Sequence, residues 1–220
     1  MKLPSTPPSN KMNTLTIYPL SNYSFATKEA QVEEDPSVNA RLQRLEEDYE
    51  QYGMRRTVEG LMIVHEHNHP HVLLLQVANS FFKLPGDYLK PGEGDIDGLK
   101  KRMQKRLGPD DGLSGDSSMN GGWEEAGADG WEIADSIGQF YRPNFESFMY
   151  PYVPAHISKP KELKTWYLVQ LPQSQILTVP KNMKLIALPL FELYDNAVRY
   201  GPQLAAIPHL LSRINFIFEQ

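Results

Sequence analysis

Three groups of side chains in this sequence could carry chemistry. The first surrounds one predicted helix, with Glu93, Asp95 and Asp97 at its start and Lys100, Lys101, Arg102, Lys105 and Arg106 along it. Magnesium chemistry on a phosphoanhydride needs carboxylate oxygens converging on the ion. Ammonium and guanidinium groups offer only donors and repel a cation. The acids leave room for one weak metal contact, and Asp95 or Asp97 has a simpler use as the helix cap. The cations read either as a solvated helix face or as an anion-binding strip. Those in the last turn also suit the helix dipole. Neither reading supports magnesium catalysis.

The second group is His65-Glu66-His67-Asn68-His69-Pro70-His71. Alternation places His65 and His67 on one side of a strand, which is workable zinc geometry. No further ligand is evident nearby, and a polar turn between two strands explains the cluster as well. Ser-His-Asp catalysis has no frame here, because no Gly-x-Ser-x-Gly elbow occurs. The third group is Phe81-Phe82 on a short predicted strand, Phe81–Leu84. Adjacent strand residues face opposite ways, so one ring belongs in the core and the other faces out, where it can stack on a base. The alternative is burial of both.

The elements that must position these groups follow from pattern. At 220 residues, with 40% hydrophobic and 22% charged residues, the chain suits one well-buried globular domain. It has no cysteine, which excludes disulfides and thiolate metal sites and suits a reducing compartment. No apolar run reaches bilayer length, and no signal peptide is evident. A net charge of −5 argues against wholesale coating of nucleic acid but leaves room for a small specific site.

Residues 1–12 read as a flexible tail, and 13–220 as a single domain. Thr14–Leu20 alternates like an edge strand. Asp35 is the expected cap of a helix with Pro36 at its first position. Val38, Leu42, Leu45, Tyr49 and Tyr52 form its buried stripe, and Gly53 stops it. Strands follow at about 57–65 and 72–77. The cationic helix should bury Ile96, Leu99, Met103 and Leu107 and stop at Gly108-Pro109. Residues 108–130, rich in Gly, Asp, Ser and Asn, read as a flexible insertion. A strand region is expected at 131–141, and strands at 165–171 and 184–188. Between them, 142–162 carries four prolines among aromatics and reads as an ordered, irregular loop. Helical pieces close the chain at 191–194 and 203–213, the latter divided at Pro208. This alternation favours an α/β sandwich.

The stretch Phe81-Phe82-Lys83-Leu84-Pro85-Gly86-Asp87, with the helix ending at Leu107-Gly108, resembles the Nudix box. That pattern runs Gly, five residues, Glu, seven residues, Arg-Glu-apolar-x-Glu-Glu-x-Gly. Asp87 stands at the first glycine and Glu93 fits. Arg102, Lys105 and Arg106 occupy the three helix glutamates that hold Mg²⁺ in the hydrolases. The resemblance implies a Nudix-like α/β/α sandwich with extra N- and C-terminal segments, kept as a scaffold that binds without hydrolysing and needs no cofactor.

A longer likeness is carried by Gly53–Gly60, Pro70–Gln76, Phe81–Gly86, Tyr150–Ile157, Phe191–Ala197 and Leu211–Phe216. These resemble the small subunits of pre-mRNA cleavage factor Im, over nearly all of 14–218. The resemblance implies a catalytically silent homodimer in the nucleus, not at a membrane. It implies binding of UGUA elements in pre-mRNA, and association with a larger subunit carrying an RNA-recognition motif and with other 3′-end processing factors. Its RNA contacts fall here on Glu33, Arg41, Glu59, Ser80, Phe81, Phe82, Leu84, Tyr200 and Gly201. Ser80 stands for a frequent Thr and keeps the hydroxyl, whereas Val198-Arg199 differs from the usual small pair.

Chemistry agrees with these assignments. Uracil and guanine present an imino N–H that a carboxylate such as Glu59 or Glu33 accepts, while cytosine and adenine present an acceptor there. Arg41 offers two donors to guanine or to phosphate. For Glu59 and Arg41 the alternative is a structural salt bridge. The rival functions are a diverged Nudix hydrolase and a non-catalytic binder of nucleoside polyphosphates.

Overall fold

The computed structural model describes residues 14–32, 35, 37–77, 81–109 and 130–220. The expected tail, most of the expected insertion, Glu33 and Ser80 lie outside them. The strands are β1 (Thr14–Ile17), β2 (Tyr23–Lys28), β3 (Arg55–Glu66), β4 (His69–Val77), β5 (Phe81–Lys83), β6 (Gly86–Tyr88), β7 (Glu132–Arg142), β8 (Glu162–Gln170), β9 (Gln175–Pro180), β10 (Met183–Pro189) and β11 (Asn215–Phe218). The helices are α1 (Val38–Tyr52), α2 (Asp95–Leu107), α3 (Leu190–Leu193), α4 (Ala197–Ala205) and α5 (Ile207–Leu211).

The central sheet runs β10-β4-β3-β8-β7. Strands β3 and β4 read as near-continuous apolar runs because both faces of the sheet are covered. On one face Leu99, Met103 and Leu107 of α2 pack on Val58, Met62, Val64, Leu73 and Leu75. On the other, Leu61, Ile63, Val72, Leu74, Trp166 and Leu168 pack under β1 and the C-terminal helices. The two faces alternate along each strand, as the pleat requires. The α/β sandwich is therefore present, with β1 and β11 joined in a small parallel pair beside it.

The sheet contains a fork. Beyond Ile63–Val72, β3 and β4 no longer pair; β3 takes β6 as its neighbour and β4 takes β5. The segment Phe81–Tyr88 fills the gap. Gly86 is required at its turn, with φ 154°, because any side chain there would strike the Val58 carbonyl and the Glu59 backbone.

Several local expectations are corrected. Asp35 does not cap α1; its carboxylate is taken by Arg44, at 2.9 and 2.7 Å. Ser37 caps instead, accepting from the Ala40 amide at 3.1 Å. Only Leu45 of the α1 stripe is buried, while Val38 and Tyr52 at the two ends are exposed. The α2 N-cap is Gly94, because Asp95 is engaged by Arg56 and by the Tyr167 hydroxyl. Polar contacts thus hold the first turn of α2, and Ile96 is left exposed.

His67 and Asn68, at φ 50° and 61°, form the tight β3–β4 turn, so the histidines do not share a strand face. His65 is buried and its Nε2 donates to the Glu219 carbonyl at 2.7 Å, while His69 and His71 belong to β4. Strands β2, β6, β9 and β11 escape the sequence reading. β2–β9 and β1–β11 are parallel pairs between remote segments and carry no hairpin signal. The loop 142–162 is ordered as expected. Its ends are clasped by the buried Arg142–Glu162 ion pair at 2.8 Å and by the Lys161 amide donating to the Arg142 carbonyl at 2.7 Å.

Candidate nucleic-acid interface

Two carboxylates flank the fork filler, one on each face of the sheet. On the α2 face, Glu93 receives both ends of the Arg102 guanidinium, at 2.9 Å on Oε1 and 2.8 Å on Oε2. The Lys90 amide adds a third donor on Oε2 at 3.0 Å, and Lys101 Nζ lies 3.9 Å from Oε1. Arg102 also donates to the Tyr88 and Gly98 carbonyls. Both side chains are largely covered, at 14% exposure each. The hydrogen bonds from Arg102 hold the Glu93 carboxyl below its ordinary range. Beside them Arg106 pairs with Asp87 at 2.6 Å. Arg102 and Arg106 are therefore neither a solvated face nor an open anion strip; they are internal cations tied to the acids. Lys101 and Lys105 are the exposed cations of α2.

On the opposite face Glu59 lies in register with Gly86 on one side and Trp166 on the other. Its Oε2 accepts from the Trp166 indole Nε1–H at 2.6 Å, and its Oε1 pairs with Lys164 Nζ at 2.8 Å. A carboxylate has about four lone-pair sites. Glu93 has three filled by hydrogen bonds and a lysine beside the fourth, whereas Glu59 has two filled. Glu59 can take further donors and Glu93 has little capacity left.

The aromatic strand behaves as its pleat dictates. Phe82 pairs with Gln76 and packs on the same face as Glu59, its ring 5.0 Å from that of Tyr200. Leu84 is buried beneath it. Phe81 pairs with Val77 on the other side, and its ring stays 53% exposed at the sheet margin. One ring is in and one is out. Tyr200 is buried, and burial together with the Glu192 carboxylate that accepts its hydroxyl pushes its pKa up to about 12. Next to it Gly201 adopts φ 82°, which breaks α4 and lets Pro202 begin a new turn. Arg199 lies over the Tyr200 ring, 5.2 Å from its centroid.

Arg41 is exposed on α1, one turn before Arg44; the guanidinium groups of Arg44 and Arg55 lie 5.0 and 5.1 Å from the centroid of the Tyr88 ring. No ion pair among the described residues engages Arg41. The structure thus brings Glu59, Phe82, Leu84, Tyr200 and Gly201 around one face of the fork, with Phe81 at its margin and Arg41 on the helix that packs beside β3. The residues that sequence reading missed are Trp166, Lys164 and Glu192. Trp166 is 107 positions from Glu59 and meets it only through the parallel β3–β8 register, so no local pattern could reveal it. Among the described residues no cluster of three or more His, Asp or Glu side chains is arranged to hold a metal, and no helix is long and apolar enough to cross a membrane.

Comparison with known proteins gives a family match and close relatives. A Nudix family described as nucleotide hydrolase matches residues 13–214. A protein of Arabidopsis thaliana named pre-mRNA cleavage factor Im 25 kDa subunit 2 is 51% identical over 92% of this chain and 94% of its own. A Dictyostelium discoideum protein named cleavage and polyadenylation specificity factor subunit 5 is 43% identical over 94% of this chain and 97% of its own. Among solved structures, the MutT protein of Bacillus halodurans matches with a TM-score of 0.43 at 12% identity, covering 76% of this chain and 91% of that one.

Proposed function

The chain belongs to the Nudix-like family of cleavage factor Im 25 kDa subunits, and on that premise we propose that it binds single-stranded UGUA elements in pre-mRNA without hydrolysing a nucleotide. It then acts in the nucleus, in 3′-end cleavage, polyadenylation and poly(A)-site choice. The observation that carries this reading is the contrast between the two carboxylates. Glu93, the loop acid of the Nudix-like box, has its acceptor sites filled by Arg102, which itself stands where a metal-binding glutamate belongs, so the oxygens that would grip Mg²⁺ are replaced or occupied. Glu59 retains acceptor capacity beside an aromatic strand with one exposed ring.

In this reading Glu59 accepts an imino N–H of uracil or guanine. A cytosine or adenine at the same place leaves the carboxylate facing an acceptor, at a cost of about 1–3 kcal/mol. Phe81 stacks on a base and adds roughly 1–3 kcal/mol. Tyr200 and Gly201 shape the wall beside Phe82, Leu84 forms its floor, Arg41 donates to guanine or phosphate, and Glu33 and Ser80 complete the contacts. Few phosphates need be touched, which suits a chain of net charge −5. A homodimer offers two such sites, and two elements on one RNA raise affinity through effective concentration. Exposed aromatics at Phe148 and Tyr152 in the long loop, and at Phe191 and Tyr194 near α3, are surfaces for the second copy or for a larger RNA-recognition-motif subunit.

The test is the affinity for a short RNA with UGUA against one with UCUA. A clear preference for UGUA is expected, lost in Glu59→Ala, while Phe81→Ala weakens binding to both RNAs; equal affinities in the wild type would remove the specificity. Magnesium-dependent turnover of a dinucleoside polyphosphate, abolished by Glu93→Gln, would establish a hydrolase instead.

A further inference from the structure

The Glu59 carboxylate is aimed by a side chain that itself has no access to a ligand. Trp166 is 1% exposed, its ring tilted against that of Phe140 with centroids 4.7 Å apart, and fixed by the sheet register directly across from Glu59. Its indole N–H has one acceptor, the Glu59 Oε2 at 2.6 Å. A glutamate has three rotatable bonds, and an unheld carboxylate samples several directions. Lys164 holds the other oxygen, but through a flexible stem and a point charge that can follow a moving partner. The indole cannot follow, because its ring is buried in the core against Phe140. Rigid donor, fixed register and short distance together set one orientation of the carboxylate plane.

We infer that Trp166 is a positioning residue for base discrimination: its indole N–H orients Glu59 so that the two remaining lone-pair sites meet a base edge carrying an imino proton. This rests on the RNA-binding reading above and adds to it a residue that never touches RNA. The orientation matters because discrimination depends on where the acceptor points, whereas stacking on Phe81 does not. Loss of the indole N–H should therefore lower the preference among bases while leaving the sequence-independent part of binding in place. A Trp that merely fills the core would behave in the opposite way, lowering stability and leaving the preference untouched.

The experiment uses the full chain. Trp166→Phe deletes the donor along with part of the ring. Replacing the Trp166 indole by benzothiophene, through a non-natural amino acid, deletes only the N–H and keeps the shape, so folding is not at issue. Affinities for UGUA and UCUA RNAs and the melting temperature are measured for both variants. The benzothiophene variant is expected to keep its melting temperature within a few degrees while the UGUA:UCUA preference falls about tenfold, chiefly through weaker UGUA binding. In the unmodified protein, the Trp166 indole N–H proton resonance, assigned by its absence in Trp166→Phe, should move on adding UGUA and stay in place on adding UCUA. An unchanged preference in the benzothiophene variant, or an indole resonance indifferent to UGUA, would overturn the positioning role and leave the RNA reading standing. A wild-type protein without any UGUA preference overturns that reading, and the role of Trp166 with it.

Discussion

Glu93 and Glu59 lie on opposite faces of one sheet, flanking the same strand filler, and both are held by cations. Their difference lies in what is left over. Arg102 and the Lys90 amide occupy three acceptor sites of Glu93, and Lys101 approaches the fourth at 3.9 Å. Glu59 gives one site to an indole and one to an ammonium. A carboxylate with its acceptor sites saturated is part of the scaffold; one with sites in reserve is available to a ligand. On the proposed reading, the frame of the Nudix fold is kept while the working surface lies on the Glu59 face.

The largest effect that could break this comparison is on stability. Arg102→Ala leaves the covered Glu93 carboxylate without its partner and strips donors from the Tyr88 and Gly98 carbonyls. Denaturant unfolding should show a loss of about 3 kcal/mol. A loss under about 0.5 kcal/mol would mean the pair is an exposed surface contact. Glu59→Ala should cost less stability and show its effect in RNA discrimination, by about 1–3 kcal/mol between UGUA and UCUA in a competition assay.

Phe81→Ala removes an exposed ring, so thermal melting should barely move. RNA affinity should fall by roughly 1–3 kcal/mol, with similar losses for matched and mismatched sequences.

The acid dependence separates the regions further. Arg102 lowers the folded-state pKa of Glu93, and Arg44 lowers that of Asp35. Burial opposes the shift at Glu162, but the charges of Arg142 and Lys164 outweigh it, and its pKa is lowered as well. Groups whose folded pKa is depressed contribute stability that is fully present above their unfolded values, near 4.5 for glutamate and 3.8 for aspartate. That stability is lost as pH falls through the lower folded values. Urea midpoints measured from pH 6 to pH 3 should therefore fall below about pH 4.5, and the fall should be shallower in Arg102→Ala. The smallest expected effect is at Val38 and Tyr52. As exposed ends of α1, Val38→Ser and Tyr52→Ser should each change stability by less than about 0.5 kcal/mol.

What the sequence made legible was local. Gly53 and Gly108 as helix ends, the apolar stripe Leu99–Met103–Leu107, the proline-rich loop and the opposed rings of Phe81 and Phe82 all follow from spacing over a few residues. What it hid was long-range or competitive. Asp-Pro is a good start signal and points to Asp35 as a cap, but Arg44 nine residues on competes for the carboxylate and wins with two hydrogen bonds. Local spacing cannot tell Arg102 and Arg106 from a solvated face or an anion strip, because the acids that take them, Glu93 and Asp87, are joined to them only through the fold. The partners of Glu59 come from β8, more than a hundred positions away, and the parallel strand pairs leave no turn signature.

The central claim is that recognition belongs to the Glu59 face and owes nothing to a metal at Glu93. The most direct measurement is UGUA and UCUA affinity for wild type, Glu59→Gln and Glu93→Gln, each confirmed folded by circular dichroism, in EDTA and again in Mg²⁺. The expected result is a UGUA preference equal in both buffers, lost in Glu59→Gln and kept in Glu93→Gln. A preference that needs Mg²⁺, or that disappears with Glu93 and survives without Glu59, would contradict the account.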